Sequence, residues 1–133
     1  MRIAHLSDCH LPRPALIFTH HPPLDIGVPW LDRMNLRNLD RFWAVVAQHG
    51  DRLRGVFVPH LHLQITCSYR GVLVAGCPAT SWQFCGNSDA ETAERSSELP
   101  GFNLLDLVGV KLCIHTVRFD PEDWSHGSVG GRV

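Results

Sequence analysis

Apolar residues in this chain come in short blocks that end abruptly. Arg2 to Ser7, Ala15 to Thr19 and Gly55 to Val58 are runs of four to six residues, and each gives way at once to histidine, proline or aspartate. Runs of that length predict short buried strands. Leu36, Leu39, Phe42, Trp43 and Val46 instead recur at helical spacing, which predicts one amphipathic helix with Asn35 or Asn38 as N-cap and Gly50 as stop. Residues 20 to 33, rich in Pro, Gly and Asp, read as a loop. Downstream, residues 64–69 and 72–76 predict a hairpin around Arg70-Gly71, and residues 102–107 and 110–119 a second around Val108-Gly109. The polar, acidic stretch from Gly86 to Pro100 reads as a surface loop.

Strands around one good helix make an α/β domain with a mixed sheet. At 133 residues there is room for one such domain, placed at 1–120, and 121–133 is expected to be a disordered tail. Hydrophobic content of 44% and charged content of 19% are those of a soluble globular protein. A net charge of −1 and a pI near 6.7 leave no electrostatic footprint for a nucleic-acid polymer or an anionic membrane. The start, MRIAHLSDCH, carries no apolar run of signal-peptide length, and no stretch approaches a membrane span. Five cysteines without a C-x-x-C suggest neither a disulfide framework nor a zinc ribbon, so a reduced, cytoplasmic setting is expected.

Nine histidines carry more information than any charge. Asp8-Cys9-His10, His20-His21-Pro22-Pro23 and His60-Leu61-His62 each follow an apolar strand. Side chains two apart on a strand point the same way, so Asp8 with His10, and His60 with His62, can converge beyond a sheet edge. Pro22 and Pro23 stop the ladder and fix the backbone just after the histidine pair. Imidazole with carboxylate is a ligand set suited to Zn, Mn or Fe. Singly, each residue has an ordinary reading: Asp8 as a turn cap, His10 as a surface histidine, His62 as the start of the next strand. Three repeats of one arrangement favour metal.

Asp-x-His, then Thr-His-His-Pro-Pro, then x-His-x-His about forty residues on, resembles the calcineurin-like metallophosphoesterases. Pro78-Ala79-Thr80-Ser81-Trp82-Gln83 is similar to a Pro-Ser-Thr-Ala-x-Gln segment of the class III cyclic-nucleotide phosphodiesterase branch. The resemblance spans roughly residues 2 to 119 and implies a partial metallophosphoesterase αββα sandwich, mostly its C-terminal half. It also implies two divalent metals, with Asp8, His10 and His62 facing the first, His20 and His60 the second, and His21 behind them or toward substrate. The implied activity is hydrolysis of a cyclic nucleotide or similar small phosphodiester.

The family's Gly-Asp and Gly-Asn-His motifs, which normally stand between Asp-x-His and His-His-Pro-Pro, are missing, as from a large internal deletion. Only nine residues separate His10 from His20. Leu11 to Pro14 spans at most roughly 14 Å, whereas a parallel crossover needs about a dozen residues or more. The first strand therefore relocates, pairs with a second chain or is a vestige. Three readings stay open: a phosphodiesterase holding one or two metals, a catalytically impaired remnant that binds metal weakly or not at all, and a self-associating chain with a shared site. Loss of neighbouring strands exposes apolar edges, so self-association is expected.

Overall fold

Ala15–Phe18 (β1) and Leu53–Val58 (β2) lie side by side as parallel strands, with Leu16 opposite Gly55 and Phe18 opposite Phe57. The computed structural model describes residues 15–87, 89 and 91–122. The expected strand at 2–7, the candidate ligands Asp8 and His10, and all but residues 121 and 122 of the tail expected at 121–133 lie outside the described residues. β2 is buried nearly throughout, and Val56 and Val58 are fully enclosed. A parallel strand covered on both faces has no solvent side, which is why Gly55 to Val58 carry no polar side chain.

Thr66–Tyr69 (β3) and Val72–Gly76 (β4) form the first expected hairpin. β4 runs parallel to β2, so the sheet order is β1-β2-β4-β3. Arg70 and Gly71 both have positive φ, 51° and 77°, the signature of a type I′ turn whose twist matches the strands it joins.

Two helices fill the connection between β1 and β2. Pro29–Asp32 (α1) is a single turn inside the stretch that the sequence reads as loop. Four residues are too few to show a period, but Pro29 at the first position presets the helical φ. The Asp32 carboxylate accepts hydrogen bonds from the backbone N–H groups of Ile26 (2.8 Å) and Gly27 (3.2 Å), fastening the preceding loop. Leu39–Ala47 (α2) is the expected amphipathic helix. Asn38 stands at its N-cap in the left-handed region (φ 66°), without a side-chain cap bond; asparagine tolerates that conformation better than most residues. Trp30, Leu31, Trp43 and Val46 from the helices pack with Leu53, Val56, Val58, Leu61 and Val74 in one core.

Gln83–Phe84 (β5) pairs with Arg95–Ser96 (β6), a ladder within and beside the expected surface loop that is too short for any alternation to show. Gly101–Val108 (β7) and Lys111–Arg118 (β8) form the second expected hairpin, closed by Gly109 at φ 59° in the manner of a type II′ turn. Asn103 ties this hairpin to the sheet by donating to the Gly76 carbonyl at 3.0 Å. The architecture is the partial α/β sandwich that the sequence predicts. Among the described residues no helix is long and apolar enough to cross a membrane. Cys67, Cys77, Cys85 and Cys113 are free thiols.

Candidate metal-binding site

Parallel pairing of β1 with β2 sends both strands toward the same edge, so the residues that follow them meet. Thr19 extends the ladder by one bond, its N–H donating to the Phe57 carbonyl at 3.1 Å, and His20 comes next. After β2 the chain tightens into a 3₁₀ turn, Pro59–Leu61, which carries His60, and His62 closes it with a left-handed φ of 48°. Nε2 of His20 and Nδ1 of His60 stand 3.0 Å apart, although 40 residues separate them in sequence. Ligand sites of open α/β sheets lie in this position, outside the carboxyl ends of the strands.

The His-His-Pro-Pro loop is held from behind. Pro22 and Pro23 are fully buried, and their carbonyls accept hydrogen bonds from the Leu36 N–H (2.8 Å) and the Trp43 indole N–H (2.6 Å) respectively. The amphipathic helix that builds the core therefore also braces the loop presenting His20 and His21. The His21 ring packs at 5.0 Å from His20 and 4.7 Å from His60, centre to centre.

Two ring nitrogens in this cluster, Nδ1 of His21 and Nε2 of His60, are buried without a hydrogen-bond partner. Burial, then the neighbouring His20, His21 and His62, pushes the His60 pKa down to about 4. Burial, with His21 and His62, also lowers that of His20. Both rings are thereby kept neutral near pH 7, the form in which imidazole binds a metal.

His62 has a different surrounding. Its Nδ1 lies 3.1 Å from the Trp82 carbonyl, which only accepts, so Nδ1 carries the proton and Nε2 keeps its lone pair. Its ring packs on Trp82 and Phe84 at 4.9 and 5.1 Å. A carbonyl that fixes the tautomer of an imidazole is the usual second layer around a metal ligand.

Four of the sequence-selected residues, His20, His21, His60 and His62, thus lie at one edge, and Asp8 and His10 fall outside the described residues. Among the described residues no three His, Cys, Asp or Glu side chains are arranged to hold a metal ion by themselves. The donors present nevertheless fit a divalent ion. Two nitrogens bound to one ion at about 2.1 Å each stand roughly 3.0 Å apart at a right angle and roughly 3.4 Å apart in a tetrahedron, and His20 and His60 match the short end of that range. The Trp82 carbonyl escapes a reading of side chains because it belongs to the backbone.

The chain is 36% identical over 94 residues to a 3′,5′-cyclic-nucleotide phosphodiesterase of Nostoc sp., a match covering 71% of this chain and 34% of that protein. It is 33% identical over 92 residues to a 3′,5′-cyclic adenosine monophosphate phosphodiesterase of Vibrio vulnificus, covering 69% and 32% of the two chains. A glycerophosphodiester phosphodiesterase of Enterobacter lignolyticus is 35% identical over 80 residues, or 60% and 28%. The chain spans about a third of the length of these curated relatives. No family model matches.

Proposed function

We propose that this chain, by its similarity to cyclic-nucleotide phosphodiesterases, is of the metallophosphoesterase type and forms the histidine side of a metal-dependent phosphodiesterase site for a small phosphodiester such as a cyclic nucleotide. The observation that carries the reading is the 3.0 Å approach of His20 and His60 at the ends of adjacent parallel strands. Asp8, His10 and His62 belong to the same proposed ligand set.

A divalent metal held there would polarise a phosphoryl oxygen and make a bound water acidic enough to serve as nucleophile at neutral pH. The chain's own part is to present neutral donors. His60 and His20 stay deprotonated through burial and mutual proximity, and His62 is turned with Nε2 free by the Trp82 carbonyl. His21, with its unpartnered Nδ1 beside both rings, faces the same space as a candidate for substrate or support.

The test is metal content per chain after purification without chelator or affinity tag, followed by hydrolysis of 3′,5′-cyclic AMP. Bound metal and hydrolysis, both lost in His60→Ala, are the expected result. Metal-free protein that gains neither metal nor activity on adding manganese, iron or zinc would overturn the reading.

A second reading, self-association with a shared site, is favoured by the β7–β8 hairpin. Leu104, Val108 and Val110 there are 53%, 65% and 79% exposed. Activity per chain that rises with protein concentration would distinguish it.

A further inference from the structure

Gln83 is completely buried, the largest polar side chain so enclosed among the described residues. Its amide is satisfied in both directions by one residue, Ala79. Oε1 accepts from the Ala79 N–H at 2.9 Å, and Nε2 donates to the Ala79 carbonyl at 2.7 Å. The amide thus closes residues 79–83 into a ring. The same Ala79 carbonyl accepts from the Gly101 N–H at 2.9 Å. Residue 101 itself has no room for a side chain, since a Cβ there would run into the Val117 carbonyl. The ring is therefore also pinned to β7.

The residues on either side of Gln83 both bind His62. The Trp82 carbonyl accepts a hydrogen bond from the Nδ1–H of the ring, and the Phe84 N–H donates to the His62 carbonyl at 3.4 Å. Along a strand, alternate residues face opposite ways. Gln83 lies buried between the two residues that grip the histidine. We propose that Gln83 is a positioning residue: by locking Ala79 to β5 it fixes the Trp82 carbonyl, and through it the tautomer and orientation of His62. The Nε2 lone pair is then directed outward before any ligand arrives. Water does not select the Nδ1–H form, and a histidine without a fixed acceptor is free to move its proton to the other nitrogen.

This deepens the proposed site and rests on His62 being one of its ligands, but its first test needs neither metal nor activity. In the full chain, long-range proton–nitrogen correlation of the imidazoles at neutral pH reads the tautomer of His62 directly. Wild type is expected to show a single tautomer protonated at Nδ1. Gln83→Met, which keeps the length and removes both hydrogen bonds, is expected to show a mixture. Val56→Ala serves as the control, since it weakens the core without touching this loop and is expected to leave His62 unchanged. Should Gln83→Met fail to fold, Gln83→Leu, which also removes both hydrogen bonds, is read the same way.

Titration with zinc alone supplies the second readout. Loss of the fixed carbonyl is expected to weaken binding by about 10- to 100-fold in the Gln83 variant, and not in Val56→Ala. A His62 that keeps one tautomer in the Gln83 variant, or shifts as much in Val56→Ala, overturns the proposal. Wild type that binds no zinc yet shows the tautomer change would overturn the proposed function and leave the positioning role standing.

Discussion

The four-stranded sheet and the β7–β8 hairpin are built from similar apolar strands and have opposite surroundings. β2 is flanked on both edges, and Val56 and Val58 are out of solvent. β7 and β8 are longer, yet pair only with each other and leave Phe102, Leu104, Val108, Val110 and Val117 exposed. Strand sequence alone did not decide burial; neighbours did. The histidines belong to the enclosed region. Their geometry depends on a core, whereas the hairpin adds chiefly a clasp through Gly101 and Asn103.

The contrast can be broken most forcefully at Trp43. Trp43→Ala removes the core indole and the bond to the Pro23 carbonyl, and is expected to cost about 3–5 kcal/mol in urea unfolding, with loss of the His20–His60 approach. Asn103→Ala strikes the clasp instead. It deletes the bond to Gly76 and leaves Thr116 Oγ1, 2.9 Å from Asn103 Oδ1, without its acceptor. About 1–2 kcal/mol is expected; an effect as large as that of Trp43→Ala would mean that the two regions fold as one unit.

Acid should weaken the enclosed region first. Between about pH 4 and the ordinary imidazole value of 6.5, unfolded His60 binds more protons than folded His60. Stability is therefore expected to be full above 6.5 and to fall as pH drops toward 4, by an amount limited by the ring's partial exposure. His60→Gln should flatten that part of the melting-temperature profile; an unchanged slope would assign the dependence to other groups. Smallest is Leu104→Ser on the open hairpin, expected to change chain stability by no more than about 0.5 kcal/mol. Its readout is sedimentation, where weakened self-association is expected if this face is the contact between copies.

Much of the fold was legible because its elements have a period. The run from Gly55 to Val58, which the structure extends back to Leu53, and the spacing of Leu39, Phe42, Trp43 and Val46 reflect burial that repeats. The single turn at Pro29 and the two-residue ladder of Gln83–Phe84 are shorter than any period and depend on tertiary contacts. At the site, the chemistry of His20, His60 and His62 could be read directly, since residue type states what a side chain can bind. The support could not. Gln83 stands out in the sequence only as the end of the 78–83 segment, with no sign of what its amide binds, and the acceptor it fixes is a carbonyl that every residue possesses.

The parallel register of β1 and β2 also bears on when the site comes into being. The β7–β8 hairpin closes across a two-residue turn, a local event on the microsecond scale. β1 meets β2 only after the intervening chain has been gathered in, and distant contacts of that kind are slow to form. Pulse-labelled amide exchange during refolding is expected to protect Asp106 and Cys113, a bonded pair of the hairpin ladder, before Ile17 and Thr19. The two histidines would then become neighbours late in the history of each molecule, and anything that interrupts folding would take the site before it takes the strands.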